Sequence, residues 1–414
     1  MADSRIKLDL GAAALLDALH GAGHAAYAVG GCVRDSLLGL VPHDWDLCTS
    51  ALPQQVLDLF GAEQCIPTGL QHGTVTVKYN GRLYETTTFR TEGSYSDGRH
   101  PDSVAFVPDV KEDLARRDFT INAMAYSAEE GLIDPFGGQK DLACGLVRAV
   151  GVPHQRFTED ALRILRLYRF AARFGFEIDP ATEQAARELC PHLDCVSVER
   201  ITDELTRLLA APKPGKWMEP AVFAVVLPEL FTAENAPQFE AARARINALP
   251  AGLPEVPARL AALLLPLGEQ GARNALKHLR CSNALIEEVT TLIREIELAP
   301  ESDAAARTIQ AKRLLGRLEP DTLRRLLALC AARRPEQAAE FAALQTEAER
   351  LQAQNACCRV GQLAVNGRDL MALGGKPGPG LRRQLEALLE AVITGQLPNE
   401  RDALLKAVKI ELDS

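Results

Sequence analysis

Residues 27–46 constrain this chain more than any other stretch. They read Tyr27-Ala-Val-Gly30-Gly31-Cys-Val-Arg34-Asp35, then a short apolar run, then His43-Asp44-Trp45-Asp46. Ala26 to Val29 has strand character. Gly30 and Gly31 carry no Cβ, so backbone there can approach a ligand closely. Val33, Leu37, Leu38 and Leu40 have helical spacing, which places the glycines at or near a helix N-terminus. Backbone N–H groups at such a junction can hold phosphate. Arg34 adds a fixed positive charge.

Asp44 and Asp46 complete the pattern. Two residues apart on an extended segment, they point to one face. Two carboxylates on one face repel unless a positive charge lies between them, and a divalent cation with oxygen preference, Mg²⁺, is the natural partner. Gly-Gly alone is an ordinary turn, and Asp-x-Asp alone an ordinary strand end. Their ordered combination around Arg34-Asp35 is the hardware for nucleotidyl transfer, in which metals activate a hydroxyl and neutralise departing pyrophosphate.

The chain has 414 residues, enough for several domains, and 47% are hydrophobic, so it is globular. It has no apolar run long enough to span a membrane. Met1 to Lys7 lacks the apolar core of a signal peptide. The ten cysteines are scattered with no Cys-x-x-Cys, which argues against zinc and for reduced thiols in a cytoplasmic protein. A net charge of −9 argues against a generally sticky nucleic-acid binder. Locally, residues 301–334 carry eight Lys or Arg against four acids, which makes that segment a candidate RNA contact.

Several further readings follow along the chain. Ser4 to His20 has a helical rhythm. Ser50 is suited to cap a helix that Pro53 begins. Thr74–Tyr79 and Arg82–Phe89 flank Asn80-Gly81 and predict a hairpin. Glu85 on its second strand becomes a third carboxylate if that strand lies beside Asp44 and Asp46. Arg90 to Val104 is rich in Gly, Ser, Asp and Pro and reads as a mobile loop. Arg116-Arg117-Asp118 leads into Phe119-Thr120-Ile121-Asn122, where the arginines suit phosphate and ribose. Ile133 to Gly138 reads as a closing turn.

Strand signals largely stop after Val150. Phe157 to Phe170 predicts one helix capped by Thr158, with Leu162, Leu165 and Phe170 toward the core. Asp160 and Arg163 then share a face. A carboxylate that accepts from an exocyclic amine, beside a guanidinium that donates to a ring nitrogen or carbonyl, can read the Watson–Crick edge of cytosine or adenine. Proline-rich breaks near Pro212–Pro214 and Pro250–Pro257 are candidate joints. Gly374 to Gly380 is a late glycine-rich connection, read as a turn or a backbone–phosphate contact.

These pieces together resemble the bacterial class II tRNA nucleotidyltransferase family, which includes CCA-adding enzymes and poly(A) polymerases. The matching motifs are Gly30-Gly31-x-Val33-Arg34-Asp35 with Asp44-x-Asp46, then Arg116-Arg117-Asp118-Phe119-Thr120-x-Asn122-Ala123. Asp134-Pro135-Phe136-Gly137-Gly138, Glu159-Asp160-x-x-Arg163-x-x-Arg166 and Val365-Asn366-Gly367-x-Asp369-Leu370 follow in family order. The resemblance implies an α+β protein: a catalytic head with a small mixed β-sheet over residues 1–140, then an all-α neck (141–212), body (213–350) and RNA-binding tail (351–414).

It also implies roles. Asp44 and Asp46 hold the metal, with Glu85 as third catalytic acid. Gly30, Gly31, Arg34 and Arg117 hold the triphosphate, and Asp118 and Asn122 the ribose. Asp160 and Arg163 select the base, supported by Asp35, Arg116, Glu159 and Arg166. The partners implied are tRNA, CTP and ATP, and the implied activity is CCA addition without a template. Relatives that add only CC, only A or poly(A) share these motifs. The loop from Arg90 favours CCA or A addition, and a catalytically silent RNA-binding protein is the reading from a different class.

Overall fold

Local chemistry sets most of the first elements. The computed structural model describes residues 6–93, 103–374 and 377–412. Helix α1 (Leu10–Gly21) begins later than its sequence rhythm suggested, because the Asp9 carboxylate accepts from Ala12 N at 2.6 Å and caps it there. Strand β1 (Ala26–Val29) is buried throughout and runs into α2 (Gly31–Leu37) through Gly30. Strand β2 (Leu47–Thr49) follows, then α3 (Pro53–Phe60). Pro53 opens α3 as expected, but Ser50 does not cap it. Its hydroxyl accepts from Ala25 N instead, tying the end of β2 to the start of β1.

Strands β3 (Cys65–Gly69), β4 (Thr74–Tyr79) and β5 (Arg82–Thr88) form a meander. The expected hairpin turn is present: Asn80 and Gly81 have φ of 47° and 77°, the paired left-handed values that a tight two-residue turn needs. The segment read as a loop from Arg90 is partly ordered pairing. Strand β6 (Arg90–Glu92) lies antiparallel to β7 (Val104–Phe106), and residues 94–102 fall outside the described set. Helix α4 (Val110–Ala115), β8 (Ala125–Ser127), β9 (Gly131–Ile133) and α5 (Gly138–Ala143) close this region.

Seven of the described strands make one mixed sheet in the order β3-β4-β5-β2-β1-β8-β9. Strand β2 is antiparallel to β1 but parallel to β5, with Leu47 opposite Thr86. A core of Tyr27, Val29, Cys48, Phe89, Val110, Leu114, Ala123, Ala125 and Val150 packs beneath it. Burying such side chains contributes about 25 cal/mol per Å² of apolar surface.

The helix predicted over 157–170 is in fact two. After the short strand β10 (Leu146–Val147), α6 (Pro153–Glu159) starts at Pro153, so Thr158 lies inside it and caps nothing. The chain then extends at Asp160 (φ −148°), and α7 (Leu162–Phe174) begins beyond it. Leu162, Leu165 and Phe170 are buried as expected. Strand β11 (Glu177–Ile178), α8 (Pro180–Leu189), α9 (Val198–Leu209) and α10 (Pro220–Val226) follow. In α9, Ile201, Leu205, Leu208 and Leu209 repeat at helical spacing and form its buried side.

The chain divides into two compact units, Met1–Glu234 and Asn235–Ser414. The second is all helix among its described residues, from α11 (Phe239–Ala248) to α20 (Arg401–Leu412). It also shows where the charges of residues 301–334 go. Arg313, Arg317, Arg324, Arg325 and Arg333 pair with Glu390, Glu295, Glu255, Glu288 and Glu297, all outside the segment. Arg307, Lys312 and Arg334 donate to backbone carbonyls. The local excess of charge is therefore cancelled within the unit. The late Val365–Leu370 motif is a helix start, in which Asn366 accepts from Arg368 N and Asp369 accepts from Asn366 N. Gly375 and Lys376 of the glycine-rich connection lie outside the described residues.

The closing turn before α5 supplies a stability test. Asp134 accepts from Gly138 N at 2.7 Å and Gln139 N at 2.8 Å. A Cβ at Gly138 would lie 2.2 Å from the Thr120 carbonyl oxygen, a backbone atom that cannot swing aside. Gly138→Ala should lose about 1–3 kcal/mol in urea unfolding, and Asp134→Ala about 1 kcal/mol.

Candidate active site

The turn at Gly30 is built by its neighbours. Gly30 has φ 78°, and its N–H donates to the Met124 carbonyl at 3.0 Å, at the start of β8. An added Cβ would meet Arg117 Nη1 at 2.9 Å, so glycine admits that guanidinium to the turn. On the other side, Val29 N–H donates to the Asp46 carbonyl at 2.9 Å. The backbone of Asp46 is thus pinned to the end of β1 while its side chain stays solvent-accessible. The parallel register of β2 and β5 sets Glu85 beside Asp46, with Thr86 opposite Leu47. The strand carrying Glu85 lies where the third-carboxylate reading required it.

Electrostatics ties these acids together. Desolvation, together with the charges of Glu85 and Asp44, pushes the Asp46 carboxyl up to about 6 against the opposing pull of Arg117. A divalent cation would relieve that repulsion, so the donor chemistry fits one. Among the described residues, no group of three or more His, Cys, Asp or Glu side chains converges closely enough to hold a metal. Asp44 is 88% exposed and leans toward His43, 3.5 Å away, so the acids stand near one another without being collapsed onto a centre.

Behind the turn lies a buried polar network. Arg34, only 4% exposed, donates through Nε to Asp35 at 2.8 Å and through Nη1 to Asn122 Oδ1. Its guanidinium lies over the rings of Phe170 and Phe174, 5.1 and 4.8 Å from their centroids. Asp35 also accepts from Arg173 at 3.0 Å. Asn122 donates to Asp118, and Asp118 accepts from Arg166 at 2.9 and 2.6 Å. Burial opposes ionisation of Asp118, but Arg166 and Asn122 hold it well below the usual carboxylate range.

Three residues expected on the nucleotide already have partners inside the protein. Arg34, expected on the triphosphate, donates to Asn122, and Asn122 donates to Asp118, these two being the residues expected on the ribose. Sequence spacing revealed that these residues belong together, but not that they face inward.

Asp160 and Arg163 also depart from expectation. They do not share one helix face, because the chain breaks at Asp160. Asp160 accepts from Leu162 N at 3.1 Å, starting α7, and pairs with Arg200 at 2.7 Å. Arg163 pairs with Glu159 at 2.8 Å and donates to the Arg116 carbonyl at 3.0 Å. Arg156 also pairs with Glu159. Arg116 and Arg117 both donate to Asp113. Sequence reading missed Asp113, Arg200, Phe170 and Phe174 as parts of this site. Asp113 lay three residues from Arg116, a legible signal; Arg200 is forty positions from Asp160 and left none.

The chain matches the poly A polymerase head domain over residues 26–148 and the probable RNA and SrmB-binding site of polymerase A over 175–233. It matches tRNA nucleotidyltransferase domain 2 (putative) over 254–408. The CCA-adding enzyme of Lactiplantibacillus plantarum is 38% identical over 406 residues, covering 97% of this chain and 96% of its own length. The chain belongs to the CCA-adding enzyme family of tRNA nucleotidyltransferases. The family's member from Geobacillus stearothermophilus is 36% identical over 92% of each chain. The crystal structure of the Bacillus stearothermophilus CCA-adding enzyme in complex with CTP aligns with a TM-score of 0.76 and 32% identity, over 97% of each chain. The Thermotoga maritima enzyme complexed with tRNA aligns over 96% of this chain and 94% of its own at 0.69 and 22% identity, a likeness of fold. Membership of the family implies a divalent metal requirement.

Asp46 gives a pH test. In metal-free protein it keeps its proton up to about pH 6, whereas an unfolded aspartate releases it near about 3.9. The folded state binds more protons in that window, so this group's contribution to stability declines as pH rises through it. Asp46→Asn should therefore gain stability over the unmutated chain progressively between about pH 4 and pH 6.5, followed by urea unfolding with a chelator present.

Proposed function

We propose that this chain adds CMP, CMP and AMP from CTP and ATP to the 3′-hydroxyl of tRNA without a template, releasing pyrophosphate. The observation that carries the reading is the placement of Glu85 on the strand beside Asp46, with Asp44 near enough for its charge to act on Asp46, and Arg117 seated against the Gly30 turn. Relatives named CCA-adding enzymes over almost the whole chain support the same products. A cytoplasmic setting belongs to this reading, supported by ten cysteines that are all free thiols.

The reaction is an in-line displacement. The tRNA 3′-hydroxyl oxygen attacks the α-phosphorus, the bond from that phosphorus to the bridging oxygen breaks, and pyrophosphate departs. Asp44 and Asp46, with Glu85, would hold the divalent cation, which we assign as Mg²⁺. When bound it supplies an electrophile that acidifies the hydroxyl and neutralises charge on the phosphates. The open Gly30-Gly31 turn and Arg117 cradle the triphosphate. Arg34, Asp35, Asn122, Asp118 and Arg166 hold that turn rigid from behind. Positioning and preset charge supply most of the rate.

Base choice falls to Asp160 and Arg163 in this reading, each steadied by its own partner. Arg200 aligns the carboxylate of Asp160. Glu159 and the Arg116 carbonyl align the guanidinium of Arg163. The four-part layout of head, neck, body and tail divides the work. The first two parts hold the nucleotide, and the helical remainder holds tRNA through phosphate and shape.

Three experiments test this. Incubating the protein with tRNA that ends at the discriminator base, first with CTP and then with ATP, should give two C additions followed by one A. Addition of C alone, A alone or an A tail overturns the CCA assignment. Asp46→Asn should abolish incorporation while leaving tRNA binding by gel shift intact; sustained turnover removes the metal role. Arg163→Ala should narrow the preference for CTP over UTP and ATP over GTP by about 1–3 kcal/mol in transition-state terms, read from kcat/KM ratios. An unchanged ratio excludes Arg163 from base choice.

A further inference from the structure

Asp113, on α4, is fully buried with 0% of its surface exposed. A buried carboxylate persists only when its oxygens are satisfied by strong donors. Here Oδ1 accepts from Arg116 Nε at 3.0 Å and Nη2 at 2.8 Å, and Oδ2 accepts from Arg117 Nη2 at 3.3 Å. The N–H of Arg90, at the base of the β6–β7 hairpin, approaches Oδ1 at 3.4 Å. One carboxylate thus gathers two consecutive arginines and the root of a hairpin.

Those arginines lead to both halves of the site. Arg117 Nη1 abuts Gly30, and its charge acts on Asp46. The Nε of Arg117 is buried without a hydrogen-bond partner, so Asp113 is what fixes this guanidinium from the protein side. The carbonyl of Arg116 accepts from Arg163, and the carbonyl of Ala115 accepts from Arg156. The end of α4 is therefore a hinge point between the glycine turn and the start of α7, and Asp113 lies at its centre.

We infer that Asp113 is a positioning residue for nucleotide binding: it aims Arg117 at the triphosphate and, through Arg116, sets the backbone on which Arg163 rests. The inference rests on the functional reading above, in which Arg117 meets the triphosphate. A contact made equally to ground state and transition state alters KM and leaves kcat in place. A carboxylate that merely stabilised the fold would act otherwise. Its loss would reduce the folded fraction, lowering apparent kcat and leaving KM unchanged. A carboxylate that only diluted local positive charge would, on removal, lower KM.

The test uses the full chain with Asp113→Asn and, as a variant that keeps the charge, Asp113→Glu. Melting temperature, kcat and KM for CTP and ATP on a tRNA primer, and CTP affinity by calorimetry without tRNA, are measured for each. Asp113→Asn should raise both KM values and the CTP Kd about tenfold, with kcat within about threefold of the unmutated chain. Asp113→Glu, whose carboxylate is one methylene displaced, should melt closer to the unmutated chain and still raise KM. Should the Asn variant not fold, the Glu variant and calorimetry carry the test. Unchanged or lowered KM and Kd in a folded variant, or loss of kcat alone, overturns the inference. Failure of the unmutated chain to incorporate CMP would instead count against the functional reading, and the calorimetric comparison with CTP would still decide for or against Asp113.

Discussion

One buried network of charged and polar side chains carries the first unit. It runs from Asp35 through Arg34, Asn122 and Asp118 to Arg166, and on to Glu204 and Arg169. Each member is removed from most of the water that would otherwise solvate it, so each depends on its partners. Breaking one link in such a set leaves an uncompensated charge, at about 3–5 kcal/mol for a buried pair. The consequence is geometric. The glycine turn, the Arg116-Arg117 stretch and helices α7 and α9 cannot shift independently without exposing an unpaired ion.

This arrangement explains why the residues expected to touch substrate separate into two layers. Asp44, Asp46 and Glu85 stand at the accessible rim, where desolvation and the neighbouring acids lift Asp46 toward neutrality. Arg34, Asp118 and Asn122 stand behind, with their hydrogen bonds satisfied internally. A rim of mutually repelling carboxylates is unfavourable by itself, and the rigid layer behind it holds them together. The unfavourable electrostatics are retained because the site requires a cation and a polyanion to meet there.

Arginine serves in this protein chiefly as a connector. Arg116 and Arg117 share Asp113, Arg200 answers Asp160, and Arg163 spans Glu159 and a backbone carbonyl. The fork geometry of guanidinium allows one side chain to bind two elements at once, which ammonium does less well. The same property ties the basic run at 301–334 into the second unit, where five of its arginines meet glutamates brought in from elsewhere. A charge count along the sequence cannot register an acid that arrives through folding.

What the sequence by itself determined is whatever depends on neighbouring residues. The Asn80-Gly81 hairpin, the Gly30 turn entering α2, Pro53 at the start of α3 and the order of motifs all follow from local φ preferences and short spacings. Tertiary structure alone decided where α6 ends and α7 begins, that Asp160 faces Arg200 rather than Arg163, that Ser50 serves β1 rather than α3, and that Arg34 and Asp118 turn inward. Each of these turned on a partner tens of residues away. A side chain's direction is set by the strongest donor or acceptor within reach, and only the folded chain determines which groups come within reach.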